Sequence, residues 1–206
     1  ILNKFNNLSW NDSIKELHNP ENIGDYKKKF YQRLAYDEIF STFLVNSEIR
    51  KKIKKIKKEN KCFDEKKQND IINKLDFSLT NDQVKTLNEI NKDLKSSKKM
   101  FRLLQGDVGS GKTIVSLLAA YNTVKSGFQV AIMAPTEILA RQHYNLAKKI
   151  FSDDLNVQLI SGKSDYKTKK DILNKLAINK IDIIFGTHAI FQKKVVYKTL
   201  GLIIIE

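Results

Sequence analysis

The chain has 206 residues, of which 41% are hydrophobic and 29% charged, which leaves room for one domain with a sizeable core, or one domain and a smaller appendage. No apolar run is long enough to span a membrane, no secretory signal pattern opens the chain, and the single cysteine, Cys62, excludes an internal disulfide and is typical of a reducing compartment. The net charge of +14 favours a polyanionic partner, although the abundance of Lys, Asn and Ile together is also what a strong nucleotide bias in the genome produces.

The first part of the chain has helical patterns and no convincing strand. Trp10–Leu17 is predicted to form a short helix that ends near Asn19-Pro20. Apolar residues recur every three to five positions from Tyr26 to about Lys58, and this spacing predicts a long helix with one apolar face. A further short helix is predicted from Glu65 to Leu75.

The densest basic run closes the long helix. Residues 50–58 read Arg-Lys-Lys-Ile-Lys-Lys-Ile-Lys-Lys. One interpretation is a solvated face near a helix C-terminus, where cations interact favourably with the helix dipole. The other is a contact with the phosphate backbone of DNA, and the sequence alone leaves both open.

From Phe77 onward, predicted strands and helices alternate. This order predicts an α/β fold with a parallel sheet and right-handed crossovers. Because the chain stops within a strand pattern, we expect it to be a fragment of a longer protein. The predicted strands are Phe101–Leu104, Val130–Ala134, Val157–Ile160, Ile181–Phe185 and Leu202–Ile205, and the predicted helices are Thr80–Leu94, Lys112–Lys125, Pro135–Ile150 and Tyr166–Asn179.

A glycine-rich segment lies between the first of these strands and the helix that follows it. It reads Gly106-Asp107-Val108-Gly109-Ser110-Gly111-Lys112-Thr113 and matches the phosphate-binding pattern G-x-x-x-x-G-K-[ST]. Glycines let the backbone bend and bring N–H groups onto phosphate oxygens, and the helix N-terminus adds the positive end of its dipole. Lys112 is predicted to reach the β- and γ-phosphates and Thr113 to ligate Mg²⁺. The segment therefore predicts a nucleotide site.

Polar residues follow three predicted strands, where open α/β sheets bind their ligands. Pro135-Thr136 either only caps a helix or also offers free backbone N–H groups to a phosphate. Gly186-Thr187-His188 occupies the equivalent place after another strand, and a lone histidine there usually has no functional role. Glu206 ends the last strand, where proteins with this loop hold Mg²⁺ through an Asp.

Two further polar side chains lie on predicted helices. Gln83, upstream of the phosphate loop, is either an ordinary exposed helix residue or a donor and acceptor for an adenine edge. His143, beside Tyr144, is predicted to be structural. No set of Cys and His has the spacing of metal ligands, so zinc is not expected.

Taken in order, these segments resemble the RecG family of bacterial ATP-dependent branched-DNA helicases. The stretch from Met100 to Thr113 is the most specific, and Arg33–Glu38 is similar to the family's helical connector between its DNA-binding wedge domain and its motor. In two places the chain departs from the family: Ser161-Gly162-Lys163 only approximates a Thr-Gly-Ser turn, and Glu206 stands where Asp is expected. The other segments that carry the resemblance are Leu17–Pro20, Phe77–Thr80 with Gln83, Met133–Ala140 with Gln142-His143, Gly186–Ala189 and Leu200–Ile205.

The resemblance implies a superfamily 2 motor with two RecA-like lobes. Residues 76–206 are then the first lobe, an α/β parallel-sheet RecA-like P-loop domain, and residues 1–75 are the α-helical connector. The wedge domain and the second lobe are expected outside this chain. ATP and Mg²⁺ are the implied cofactors, and branched duplex DNA at stalled forks or Holliday junctions is the implied partner, with no membrane association. The implied setting is repair and recombination by a monomer in the bacterial cytoplasm.

Roles for individual residues also follow from the resemblance. Lys112, Thr113 and Glu206 are implied to be catalytic, with Thr113 and Glu206 as Mg²⁺ ligands. Gln83 and Gly106–Thr113 are implied to bind the nucleotide. Pro135-Thr136 and Gly186-Thr187-His188 are implied to contact the DNA backbone.

Three other interpretations compete with this one. The motor lobe of a transcription-repair coupling factor shares the Gly-Asp-Val-Gly loop and a Gly-Thr-His segment, although Gln105 and Ser110 are closer to RecG. A small-molecule kinase or GTPase would need a lid or a base-specific motif, and neither is found. A non-catalytic basic DNA-binding module with a vestigial loop is disfavoured by the intact Gly111-Lys112-Thr113.

Overall fold

A computed structural model describes residues 8–18, 26–152, 154–162 and 165–206. The predicted helix end at Asn19-Pro20 and the lysine of the Ser161-Gly162-Lys163 turn lie outside these residues. By its internal contacts the chain divides into two compact units, Ile1–Ile56 and Lys57–Glu206.

The described part of the first unit consists of two helices, α1 (Trp10–His18) and α2 (Tyr26–Lys55). At the start of α1, the Ser9 hydroxyl accepts a hydrogen bond from the N–H of Asp12 at 3.1 Å. Both predicted helices are confirmed, although α2 ends at Lys55, before the predicted Lys58. Lys58 belongs to the second unit, where its Nζ donates to the backbone oxygens of Asp93 and Leu94. No described helix is long and apolar enough to cross a membrane.

The second unit is an α/β domain. Two helices, α3 (Glu65–Asn73) and α4 (Asn81–Lys95), precede the phosphate loop and α5 (Lys112–Lys125). The elements that follow are β1 (Gln129–Met133), α6 (Glu137–Phe151), β2 (Val157–Ile160), α7 (Tyr166–Ala177), β3 (Ile183–Gly186), a 3-10 helix (His188–Phe191) and β4 (Leu200–Ile205).

The four strands form one parallel sheet in the order β2-β3-β1-β4. The two central strands are buried on both faces, and Ala131 and Ile184 have no exposed surface, as expected for a parallel sheet covered by helices. The predicted parallel α/β fold is confirmed. The last residues of the four strands are paired in register across the sheet: Ile160, Gly186, Met133 and Ile205.

One predicted strand, Phe101–Leu104, is wrong. The segment is not part of the sheet, and the side chain of Leu103 is 83% exposed. The Arg102 guanidinium instead binds two carboxylates of α4, Asp93 at 3.0 Å and Glu89 at 2.8 Å, which together raise the pKa of Arg102. An apolar run becomes a buried parallel strand only beside another strand, and here no strand lies next to it among the described residues.

Among the described residues, the outer edge of β4 has no partner strand. Ile203 and Ile205 are 47% and 66% exposed, and no described strand is hydrogen-bonded to this edge. The unpaired segment at Leu103 and Leu104 lines a cavity of about 380 Å³ together with β4. Two apolar segments that the sequence predicts as strands therefore line the same cavity.

A cluster of buried amides joins α3, α4 and α5. The Nδ2 of Asn122 donates to Gln68 Oε1 at 2.6 Å and to Asn91 Oδ1 at 2.8 Å, and Asn91 Nδ2 donates to Gln68 Oε1 at 2.7 Å. All three residues are buried, as is Ile71 of α3. The sequence predicts a division of the chain near residue 76, whereas the structure divides it earlier, because α3 packs against the phosphate-loop helix.

Candidate nucleotide and DNA site

The phosphate loop has a backbone conformation that glycine adopts most readily. Gly109 and Gly111 have φ angles of 80° and 79°, in the left-handed region. Gly111 is the N-cap of α5, and no side chain caps this helix. Its first N–H groups and the positive end of the helix dipole are therefore available to an anion. The turn is closed by the N–H of Ser110, which donates to Asp107 O at 3.2 Å, and Val108 is fully exposed at its tip.

Lys112 lies over the loop that precedes it. Its Nζ donates to the backbone oxygens of Gly106 at 2.9 Å and Asp107 at 2.7 Å. An ammonium group binds a phosphate oxygen more strongly than a neutral carbonyl, so a bound phosphate would compete effectively for this side chain. Lys112 is thus positioned beside the predicted phosphate site and is held there by the loop itself.

Both ends of the Gln83 amide are already hydrogen-bonded. Its Oε1 accepts from the N–H of Thr80 at 2.9 Å, while the Thr80 hydroxyl accepts from the Gln83 N–H at 3.3 Å, which forms a capping box at the start of α4. Its Nε2 donates to Ser110 O at 2.9 Å, and a Cβ on Gly111 would collide with it. The structure therefore brings Gln83 against the phosphate loop. Each amide atom retains capacity for one further hydrogen bond to a nucleotide.

Glu206 lies at the end of β4, where its N–H donates to Met133 O at 3.0 Å and continues the ladder with β1. Its carboxylate is hydrogen-bonded to Nε2 of His143 on α6. The sequence did not indicate this pair. The available signal was helical register, because His143 shares a face with Ala140 and Ala147, which are buried against the sheet.

The residues predicted to be catalytic line the cavity beside β4. Lys112 and Thr113 from the start of α5 line it together with His143 and Glu206. The remaining lining is mostly apolar. The structure therefore brings the predicted Mg²⁺ ligands, Thr113 and Glu206, to one cavity.

The loops predicted to contact DNA lie at the same edge of the sheet, because the strands end in register. Thr136 is the predicted N-cap of α6, which is confirmed: its hydroxyl accepts from the N–H of Leu139 at 3.3 Å. Pro135 and Thr136 are exposed, as is His188 in the 3-10 helix after β3. Tyr197 supports that 3-10 helix, since its hydroxyl donates to Ile190 O at 2.8 Å, and burial raises the pKa of this phenol to about 12.

These features define the P-loop lobe of a RecA-like motor. Comparison with known proteins agrees, because the DEAD/DEAH box helicase family matches residues 79–206. The ATP-dependent DNA helicase RecG of Aquifex aeolicus is 41% identical over the whole of this chain, which covers 27% of that protein. RecG of Thermotoga maritima is also 41% identical over the whole chain, which covers 26% of its length.

A solved structure gives the same result in three dimensions. The structure of RecG bound to a three-way DNA junction has a TM-score of 0.77 and 41% identity, over 93% of this chain and 26% of that one. The chain belongs to the DEAD/DEAH box helicase family. Within that family it is similar to RecG, and it spans about a quarter of the length of the curated relatives that it matches.

Proposed function

We propose that this chain supplies the first motor lobe and the helical connector of an ATP-dependent helicase that remodels branched DNA. The observation that carries the proposal is the phosphate loop, with left-handed Gly109 and Gly111 and an uncapped α5, in a chain similar to RecG over its whole length. The RecG structure bound to a three-way junction supports branched DNA as the substrate. We further propose that the protein acts in repair and recombination, in the bacterial cytoplasm, as a monomer; its similarity to RecG supports this proposal.

The residues at the loop fit ATP and Mg²⁺. Backbone N–H groups at the start of α5 and the ammonium of Lys112 suit a polyphosphate. The described residues contain no group of three or more His, Cys, Asp or Glu that would form an all-protein metal cage. Mg²⁺ is usually held by one or two protein oxygens together with phosphates, and Thr113 and Glu206 supply such a pair. Mg²⁺, when bound, neutralises charge on the phosphates during transfer.

The proposed reaction is hydrolysis of ATP to ADP and phosphate by an in-line attack of water. Lys112 would exchange its two carbonyl partners for the β- and γ-phosphate oxygens and stabilise the charge that develops there. Gln83 would contact the base while its Nε2 stays hydrogen-bonded to the Ser110 carbonyl of the loop. The His143 imidazole would hold the Glu206 carboxylate at the edge of the cavity.

Hydrolysis must be coupled to movement along DNA. The loops after β1 and β3 present exposed Thr136 and His188 at the carboxyl edge of the sheet, beside the proposed nucleotide site. Helix N-termini and loop N–H groups are common phosphate contacts, and they carry no base specificity. We therefore propose that this edge follows the DNA backbone.

The Lys112→Ala substitution tests the proposal. In the intact protein that contains this chain, we expect ATPase activity to fall about a hundredfold or more, because the variant lacks the preorganised ammonium group that stabilises negative charge on the transferred phosphate. Binding of a three-way junction, measured by fluorescence anisotropy without nucleotide, should change less than about twofold. Lys85→Ala, an exposed lysine on α4, is the matched control. Equal loss of DNA binding in Lys112→Ala would show that the loop serves the fold and would favour a non-catalytic DNA-binding module.

A further inference from the structure

One carboxylate links two loops at the carboxyl edge of the sheet. Glu137 is the first residue of α6, and its Oε1 accepts a hydrogen bond from the backbone N–H of Gly162. Its Oε2 accepts from the hydroxyl of Ser161 at 3.3 Å. Ser161 and Gly162 directly follow β2, while Glu137 follows the loop after β1. The side chain therefore ties the loop after β1 to the turn after β2.

The two linked loops are not neighbours in the sheet. Strand β3 lies between β1 and β2, so at about 4.8 Å per strand the link spans about 10 Å. The last residues of the three strands are level, which places the loop after β3, with Thr187 and His188, between the two linked loops. The loops after β2, β3 and β1 therefore follow one another along this edge of the sheet, and Glu137 connects the outer two.

The contact with Glu137 requires a residue without a Cβ at position 162. A Cβ at this position would collide with Oε1 of Glu137, whereas the backbone of Gly162 is not in the left-handed region. An alanine is therefore compatible with the local backbone and incompatible with the contact. The turn is also held from the other side, because Lys169 Nζ donates to Gly162 O at 3.1 Å.

A simpler role for Glu137 is stabilisation of the dipole of α6 from its first turn. That role does not require any contact with the turn after β2. A carboxylate at a surface that binds phosphate would also repel the ligand unless its charge were engaged elsewhere. Here both oxygens of Glu137 accept hydrogen bonds from the neighbouring turn, which engages that charge.

We propose that Glu137 is a positioning residue for DNA binding, which fixes the turn at Ser161-Gly162 relative to the Thr136 loop so that both meet the phosphate backbone as one preformed surface. The inference rests on the proposed DNA-binding function of this edge. It names the residue that aligns the turn after β2 with the Thr136 loop. Preorganisation improves affinity because ordering of the loops no longer has to occur on binding.

Substitution of Glu137 tests the link in the intact protein. We expect Glu137→Ala to raise the Kd for duplex DNA about tenfold, the loss typical of one hydrogen bond to a charged group, and to leave the Kd for ATP unchanged. Hydrogen exchange of the Gly162 amide should become at least tenfold faster. Glu137→Gln retains a carbonyl oxygen for the Gly162 N–H and should restore most of the affinity. Asp82→Ala removes a first-turn carboxylate from α4 and should change the Kd for DNA less than about twofold.

A double-mutant cycle separates the link from a merely structural effect. Gly162→Ala should weaken DNA binding when Glu137 is present and have no further effect in the Glu137→Ala background, because the collision partner is then absent. Additive effects, or wild-type affinity in Glu137→Ala, would overturn the proposal. If the unsubstituted protein bound no DNA, the proposed function would fail as well. A protected Gly162 amide would then mark a structural contact only.

Discussion

At the scale of single residues, the amide of Gln83 has two separable duties. Its oxygen caps α4, and its nitrogen holds the phosphate loop through Ser110. Because one amide makes both hydrogen bonds, a conformational change of the loop on nucleotide binding is expected to alter the capping interaction at the start of α4. The resemblance to RecG implied that Gln83 binds the nucleotide, but the bond to Ser110 depends on how α4 packs beside the loop, and no local pattern encodes it.

The substitution Gln83→Glu separates these duties. A glutamate keeps the oxygen that caps α4, so the free energy of unfolding should change by less than about 0.5 kcal/mol. It cannot donate to Ser110 O and adds negative charge beside the loop, so the Kd for ATP should rise about tenfold or more. Isothermal titration calorimetry and urea unfolding measure the two effects. Gln83→Ala is the comparison, and it should also lower stability by about 1 kcal/mol. Unchanged ATP affinity in Gln83→Glu would contradict a role at the nucleotide site.

At the scale of elements, the amide cluster connects the phosphate-loop helix to the two helices before it. Asn122 is 1% exposed and donates to both Gln68 and Asn91. We expect Asn122→Ala to lower the free energy of unfolding by about 2–3 kcal/mol, because buried acceptors lose their donor. Asn88→Ala, an exposed position on α4, should cost less than about 0.5 kcal/mol. Urea unfolding at neutral pH measures both, and similar losses for the two variants would contradict the role given to the cluster.

Elements with a local signal were predicted well, and those that depend on distant partners were not. Strands β1 and β3 were predicted because continuous apolar runs between helices need burial on both faces, and their burial confirms it. The Phe101–Leu104 run has the same pattern but lacks a paired strand, and pairing is a long-range property. The contacts His143–Glu206 and Glu137–Gly162 were missed for the same reason, since both join residues that meet only when the sheet is assembled.

At the scale of the whole molecule, the 206-residue chain on its own is expected to bind ATP weakly and to hydrolyse little of it. Phosphoryl transfer in such motors needs an arginine that neutralises the transition state, and the proposed source is a second lobe of the kind expected from the RecG resemblance. Release of phosphate, measured with and without duplex DNA, tests this expectation. Robust DNA-stimulated hydrolysis by the chain alone would contradict it.

The open edge of β4 has a consequence for the colloidal behaviour of the chain. Its backbone groups, with the exposed Ile203 and Ile205 beside them, are a template to which a strand of another molecule can add. The net charge of +14 keeps copies of the chain apart by electrostatic repulsion. At 0.1 M salt, however, repulsion between charges more than about 10 Å apart is largely screened. Salt is therefore expected to weaken the protection against self-association that the net charge gives this chain.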